Sequence, residues 1–166
     1  MSETITEHGL CLDEYSQNEH YSEVHYKRAI GELPEMECSK EISKLFAERM
    51  STGDSILDVG CGGGHYLRSL LRIVETPFTY QGVDPYEIFL NKAKNAWKAE
   101  PCASFVLGNI YDLPQEDKSF DYVMCNNVLT HIPNLLNPMS ELIRICRKEL
   151  IIRTPIYDMS YRIQLV

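Results

Sequence analysis

The sequence predicts an α/β fold in which a doubly wound, mostly parallel β-sheet carries helices on both faces. Apolar runs of strand length alternate along residues 55–155 with stretches of helical periodicity, a pattern typical of a parallel sheet covered by helices. A glycine-rich turn joins the first of these strands to the helix after it. Polar residues stand at or near the carboxyl ends of the strands, where such sheets bind ligands: Asp58, Asp84, Asn109 and Asn126.

The chain before residue 34 has no clear structural pattern. Residues 1–33 are polar and rich in aromatic side chains, and they show no strong periodicity. We interpret them as an N-terminal arm or lid, followed by a single domain over residues 34–166. A helix is predicted over residues 34–50, where apolar residues recur one or two turns apart and the pattern ends before Gly53: Ile42, Leu45, Phe46 and Met50.

Two strand–helix pairs follow this first helix. An apolar run predicts a strand over 55–60, and helical periodicity after the glycine turn predicts a helix over 64–75. A second strand is expected over 78–84. The next helix, over 85–99, is expected to begin with Pro85, because proline suits the first position of a helix.

The remaining elements complete the predicted sheet. Apolar runs predict a third strand over 104–108 and a fourth over 120–126. The fifth predicted strand, over 148–154, contains consecutive branched apolar residues. A helix over 135–147 separates the last two strands. Strands joined through helices in this way are expected to run parallel.

Composition narrows the possible functions. The chain has 166 residues, of which 44% are hydrophobic, and no apolar run reaches the roughly 18–20 residues of a membrane span. The N-terminus lacks the basic stretch and apolar core of a signal peptide. Six scattered cysteines without a C-x-x-C pair indicate reduced thiols in a cytoplasmic protein, with no disulfide framework and no metal site. A net charge of −8 with 16 Lys and Arg residues argues against a nucleic-acid partner.

The glycine turn separates this chain from other nucleotide-binding folds. Residues 58–64 read D-x-G-x-G-x-G, which does not match the dinucleotide fingerprint, and the chain has no Gly-Lys pair of a phosphate-binding loop. Glycines let a ligand approach the backbone closely. Asp58 would repel a pyrophosphate but suits a cation such as S-adenosylmethionine, which carries a sulfonium, an ammonium and no phosphate. The stretch resembles motif I of the class I S-adenosylmethionine-dependent methyltransferases.

The resemblance continues in collinear order over residues 42–155 and implies a Rossmann-like fold. Asp84 follows Gly64 by 20 residues, the interval at which nucleotide folds place an acid that accepts ribose hydroxyls. Capping the next helix is the alternative role of Asp84. The Ser-Phe-Asp sequence at 119–121 and the loop at 126–133 also match the family pattern.

The resemblance implies S-adenosylmethionine as cofactor and S-adenosylhomocysteine as product. Pro85 and Asn109 are expected near the adenine, although the family more often has Asp where this chain has Asn109. The cofactor-binding residues that the resemblance implies are Asp58, Gly60, Cys61, Gly62, Gly64, Asp84, Pro85, Asn109, Ile110 and Asn126.

The sequence suggests which side chains serve the methyl acceptor. We expect a small molecule or, as a less favoured class, a protein. His131 is the candidate general base, because it lies in the loop after the fourth strand and the ordinary pKa of a histidine is about 6.5. The alternatives are that it starts or caps the next helix or packs beside Ile132. Lid or acceptor-pocket candidates in the arm are Tyr15, Tyr21, His25 and Tyr26. A non-catalytic cofactor-binding module that acts through a partner protein remains an alternative function.

The end of the chain differs from the family pattern. Members of the resembling family continue after the fifth strand with a helix and two further strands, whereas 11 residues follow Pro155 here. We therefore expect a domain that lacks the last two strands and exposes the edge of the fifth. Such an edge invites pairing with another chain, so we expect either a shortened version of a longer protein or a chain whose edge is covered in a homodimer or by residues 161–166.

Overall fold

A five-stranded, fully parallel sheet forms the centre of the protein. The computed structural model describes residues 19–155. The strands lie in the order β3-β2-β1-β4-β5, so the chain moves outward from β1 in one direction and then crosses to its other side. The bounds are β1 Asp54–Val59, β2 Phe78–Asp84, β3 Ala103–Leu107, β4 Phe120–Asn126 and β5 Cys146–Arg153. The predicted doubly wound parallel sheet is confirmed.

Helices cover both faces of this sheet. Their bounds are α1 Glu19–Ile30, α2 Glu37–Arg49, α3 His65–Ile73, α4 Glu87–Ala96 and α5 Leu136–Ile145, with a short 3₁₀ helix at Leu129–His131. Along β1, Ile56 belongs to one core cluster and its neighbour Leu57 to the other, because successive strand residues point to opposite faces. The first cluster contains Phe46 of α2 and Leu70 of α3. No helix within residues 19–155 is long and apolar enough to span a bilayer.

The register of the strands aligns the ends that carry the polar residues. Val59 of β1 is level with Val83 of β2 and with Cys125 of β4. The next residue along each chain segment is Gly60, Asp84 or Asn126. These three residues therefore stand in a row at the switch point between β1 and β4, which is the usual ligand-binding crevice of a doubly wound sheet.

Part of the predicted arm is a regular helix. The helix α1 has only two fully buried residues, the small Ser22 and Ala29, so its sequence carries little of the apolar stripe that predicts a packed helix. It is held partly by polar contacts to α4. Lys92 Nζ lies 2.5 Å from Glu23 Oε2, and Asn95 Nδ2 donates a hydrogen bond of 3.0 Å to the hydroxyl of Tyr26.

Several predicted boundaries were displaced. The prediction that Pro85 opens a helix is wrong, since α4 begins at Glu87. The helix α2 begins at Glu37 rather than at residue 34. The helix α5 ends at Ile145, and β5 follows at once from Cys146, so the predicted helix ran two residues too far.

The strand β5 lies at one end of the described sheet. Within residues 19–155 it pairs with β4 alone, and Leu150, Ile151 and Ile152 are half-buried. Coverage of its outer edge was predicted either from a second copy or from residues 161–166, which lie outside the described residues. Self-association through this edge stays a prediction.

Candidate functional site

A cavity opens at the carboxyl ends of the strands. Its volume is about 270 Å³, and it is bounded by the glycine turn, by the ends of the strands and by α1. Residues from the strand ends and their loops form one part of its wall: Val59, Gly60, Gly62, Asp84, Pro85, Tyr86, Gly108, Ile110, Asn126, Asn127, Val128, His131 and Ile132. Residues of the helices and of the segments before them form the rest: His25, Arg28, Met36, His65, Tyr66 and Phe89.

The backbone of the glycine turn has little room for side chains. Gly60 and Gly62 adopt φ angles of 78° and 54°, which glycine tolerates and other residues rarely adopt. A Cβ atom on Gly60 would lie 2.2 Å from Val128 Cγ2, and one on Gly62 would lie 2.4 Å from His25 Nδ1. The backbone of the turn therefore forms part of the cavity wall directly, and a ligand can contact it.

Asp84 ties this turn to the end of β2. Its Oδ2 accepts a hydrogen bond of 2.9 Å from the backbone N–H of Gly62, and its Oδ1 accepts one of 3.0 Å from the N–H of Tyr86. Burial raises the pKa of Asp84 to about 6, although these two N–H groups lower it. Because each carboxylate oxygen can accept more than one hydrogen bond, Asp84 retains acceptor capacity toward the cavity that it lines.

Asp58 lies behind the turn and does not line the cavity. It is 1% exposed, and the hydroxyl of Tyr80 donates a hydrogen bond of 2.6 Å to its Oδ2. Burial raises the pKa of Asp58 to about 7; the Tyr80 hydrogen bond lowers it and the nearby charge of Asp84 raises it further. The Tyr80 hydrogen bond joins Asp58 of β1 to β2 behind the turn, and Asp58 makes no direct contact with the cavity.

The predicted cofactor residues fall into two groups. Six line the cavity: Gly60, Gly62, Asp84, Pro85, Ile110 and Asn126. Four others are absent from its wall: Asp58, Cys61, Gly64 and Asn109. Asn109 is occupied locally, since its Oδ1 accepts a hydrogen bond of 3.0 Å from the N–H of Tyr111. Gly64 packs beneath Trp97, whose Nε1 donates to the Gly64 carbonyl at 3.0 Å.

Asn126 has an unsatisfied amide inside the cavity. The side chain is 8% exposed, and within residues 19–155 neither Oδ1 nor Nδ2 has a hydrogen-bond partner. The neighbouring Asn127 is held in place by β5, because Arg153 donates to its Oδ1 at 2.7 Å. An unpaired buried amide costs about 1–3 kcal/mol, so Asn126 is suited to bind a ligand at this position.

Two histidines that line the cavity contact each other, and the sequence analysis did not predict this pair. The ring of His25 on α1 lies 4.5 Å from the ring of His65, the first residue of α3. Burial, and then the positive charge of Arg28, lowers the pKa of His25 to about 4. Burial, followed by His25 and Arg28, holds the pKa of His65 well below its ordinary value. Both rings are therefore neutral near pH 7. The position of His65 directly after the glycine turn was the available signal in the sequence.

The other lid candidates are placed differently. His25 lines the cavity, but Tyr21 and Tyr26 are absent from its wall. Tyr26 faces α4, with Lys92 Nζ 5.3 Å from its ring centre. Tyr15 lies outside the described residues.

His131 stands at the rim of the cavity. It lines the wall and is exposed, at the end of the 3₁₀ helix. The helix α5 begins only at Leu136, so the alternative that His131 starts this helix is wrong. Its position is compatible with contact to a molecule that enters the cavity from solvent.

A family model described as a methyltransferase domain matches residues 57–152, which is more than half of the chain. The chain belongs to the methyltransferase-domain family. The match begins in β1 and ends in β5, and it includes the glycine turn, Asp84 and Asn126. The predicted class of S-adenosylmethionine-dependent methyltransferases is thereby confirmed at the level of the family, and with it the family's cofactor.

Two curated relatives show how much of the methyltransferase length is present. An uncharacterised methyltransferase of Schizosaccharomyces pombe is 35% identical over an alignment of 102 residues that covers 57% of this chain and 36% of that protein. Demethylmenaquinone methyltransferase of Staphylococcus aureus is 32% identical over 95 residues, or 57% of this chain and 39% of that protein. The methyltransferase-domain chain thus spans well under half the length of these relatives.

A solved structure has the same fold. Phosphoethanolamine N-methyltransferase 2 of Haemonchus contortus, in complex with S-adenosyl-L-methionine, superposes with a TM-score of 0.68 at 22% sequence identity. The superposition covers 85% of this chain and 34% of the other. At this identity the likeness concerns the fold, and it supports the Rossmann-like architecture of the methyltransferase domain.

Proposed function

We propose that the protein transfers a methyl group from S-adenosylmethionine to a small-molecule acceptor in the cavity beside the glycine turn. One observation carries the proposal: two residues with free hydrogen-bonding capacity, Asp84 and Asn126, flank the glycine turn at the strand ends of a methyltransferase-family fold. Cytoplasmic location forms part of the proposal, supported by the free thiols of the five described cysteines.

The cavity wall fits the parts of the cofactor. The methionine part would lie against the backbone of Gly60 and Gly62, which lines the cavity. Asp84 would accept hydrogen bonds from the ribose hydroxyls through its remaining lone pairs. Pro85 and Ile110 would contact the adenine ring from the strand ends that they follow.

The reaction needs alignment more than acid–base chemistry. When bound, S-adenosylmethionine supplies a methyl group on a sulfonium, which is already an activated leaving group. The protein's part is to hold the acceptor in line with that methyl group and to exclude water, and such positioning can contribute roughly 7–11 kcal/mol in favourable cases. Asn126 would orient one of the two reactants through its unpaired amide. His131 would accept a proton where the acceptor must lose one.

The apolar and aromatic side chains of the cavity wall favour a small-molecule acceptor. Its wall carries apolar side chains that suit a compact organic molecule, namely Met36, Tyr66, Phe89, Val128 and Ile132. The name of one relative, demethylmenaquinone methyltransferase, indicates an apolar small molecule as the substrate of that protein. The net charge of −8 disfavours a nucleic acid.

Two measurements test the proposal. Calorimetric titration should show binding of S-adenosylhomocysteine and much weaker binding of NAD, because the turn lacks a pyrophosphate signature. Incubation with methyl-labelled S-adenosylmethionine and a panel of quinols, phenols, amines and thiols should then label at least one acceptor. Tighter binding of NAD would overturn the cofactor assignment. Binding of the cofactor with no transfer to any acceptor would favour a non-catalytic module.

A further inference from the structure

The cavity wall contains one basic side chain of permanent charge. Among the described residues, Arg28 is the only Lys or Arg that lines the cavity, and Asp84 is the only Asp or Glu. The two charges come from different parts of the fold, since Arg28 lies in the last turn of α1 and Asp84 ends β2. The rest of the wall consists of apolar, phenol, amide and imidazole side chains and of backbone.

Within residues 19–155, Arg28 lacks the side-chain partner that each of the other arginines has. Within residues 19–155, no acidic side chain pairs with its guanidinium, although the chain carries 24 acidic residues. The other described arginines are all engaged: Arg49 with Glu149, Arg68 and Arg72 with Glu35, Arg144 with Glu141, Arg147 with Asp121, and Arg153 with the amide of Asn127. Arg28 is therefore the one described arginine whose half-buried guanidinium has no side-chain partner.

The position of Arg28 directs its charge toward the glycine turn. It follows His25 by three residues on α1, and residues at this spacing share a helix face. His25 in turn packs on the turn, since a Cβ on Gly62 would meet its ring. Arg28 lines the same cavity as His25 and His65, and its positive charge contributes to the lowered pKa of both rings.

We propose that Arg28 binds a carboxylate group inside the cavity and thereby selects ligands that carry one. A guanidinium matches a carboxylate with two parallel N–H donors. The inference rests on the proposed function, and two molecules could supply the group: the cofactor, through its methionine part, or the acceptor. The contact of α1 with the glycine turn favours the cofactor. An interaction with the carbonyl end of α1 would explain a basic residue here, but it does not require that the side chain line the cavity.

The test compares ligands that differ by the carboxylate alone. Arg28→Gln in the full chain should weaken binding of S-adenosylhomocysteine about 10- to 100-fold, the effect of losing a charged hydrogen-bonded pair. Binding of decarboxylated S-adenosylhomocysteine should remain within about twofold of the parent value. The affinity of Arg28→Lys for S-adenosylhomocysteine should lie between that of the parent and that of Arg28→Gln. Lys27→Gln makes the same change of charge on the same helix and should leave both affinities unchanged.

A second titration distinguishes the acceptor as the source. Benzoate and benzamide are added to the complex with S-adenosylhomocysteine. If Arg28 serves an acceptor, Arg28→Gln should abolish a preference for benzoate over benzamide while S-adenosylhomocysteine binding is unchanged. If neither benzoate nor S-adenosylhomocysteine depends on Arg28, the inference is overturned and the proposed function stands. If the parent protein binds no S-adenosylhomocysteine, the proposed function fails and the inference with it.

Discussion

The carboxylate of Asp84 and the backbone N–H of Gly62 are joined by a hydrogen bond of 2.9 Å across 22 residues of sequence. The bond holds the glycine turn against the end of β2, so the residue proposed to bind the ribose also shapes the turn. Cofactor binding and local stability are coupled through this one side chain.

Replacing Asp84 should therefore affect both properties. Asp84→Ala leaves the N–H groups of Gly62 and Tyr86 without their acceptor, and each loss costs on the order of 1–3 kcal/mol. We expect lower stability in urea denaturation and, in the folded variant, weaker binding of S-adenosylhomocysteine by about 1–3 kcal/mol. Asp112→Ala, at an exposed position, is the control. Unchanged affinity in folded Asp84→Ala would exclude the ribose role.

Binding should weaken as the pH falls. Burial raises the pKa of Asp84 to about 6, so its carboxyl gains a proton in the free protein between about pH 7 and pH 5. Ribose hydroxyls require the charged acceptor, and binding should therefore release protons in this window.

The ligand for this measurement is 5′-methylthioadenosine, which keeps the ribose and lacks the titrating amino-acid part. Calorimetry in buffers of different ionisation enthalpy reports the protons released. Affinity that is independent of pH would show that Asp84 does not sense the ligand.

Asn126 should contribute to binding but not to stability. Its amide has no partner within the described chain, so Asn126→Ala removes no intramolecular hydrogen bond. We expect S-adenosylhomocysteine affinity to fall by about 1–3 kcal/mol, with unfolding free energy unchanged or higher. Asn127→Ala is the contrasting variant, because it breaks the bond to Arg153 and should lower stability. A stability loss in Asn126→Ala equal to that of Asn127→Ala would contradict this division.

His25 should make the protein less stable in acid. The unfolded chain binds a proton at this residue below about pH 6.5, whereas the folded protein does so only near its lowered pKa of about 4. Stability is therefore lost as the pH falls between these values. His25→Gln should remove roughly 1–3 kcal/mol of this loss.

Urea denaturation of parent and variant at about pH 7.5 and pH 5 measures this difference. Taking the difference between the two proteins cancels the opposite contribution of Asp58 and Asp84, which have raised pKa values. The exposed His20, on the same helix, supplies the control variant His20→Gln. A pH dependence that is the same in His25→Gln and the parent would refute the assignment.

His131 should affect turnover and leave cofactor binding unchanged. Once an acceptor is known, His131→Gln should lower kcat about 10²- to 10⁴-fold if the residue is the general base, and the acidic limb of the pH–rate profile should disappear. Added imidazole should restore part of the activity. A profile that keeps its acidic limb in the variant would assign His131 a role other than proton transfer.

The order of the elements and the position of Asp84 followed from local pattern. Apolar runs separated by helical periodicity define a parallel sheet without knowledge of any contact, and 20 residues from Gly64 to Asp84 span one helix and one strand. The register then places Gly60, Asp84 and Asn126 at one edge. These features depend on the covalent sequence over short distances, which is why they could be predicted.

The assembly of the cavity wall depended on tertiary packing. The helix α1 buries only Ser22 and Ala29 fully, so its sequence lacks the apolar periodicity from which a packed helix is predicted. Its contacts with the glycine turn and α4 join distant parts of the chain. Asp58 and Asn126 illustrate the same limit. Both are polar residues at strand ends, yet Asp58 is satisfied by Tyr80 behind the turn whereas Asn126 is unpaired in the cavity. Sequence determined which polar groups reach the strand ends, while three-dimensional packing decided which of them find a partner within the protein and which are left for a ligand.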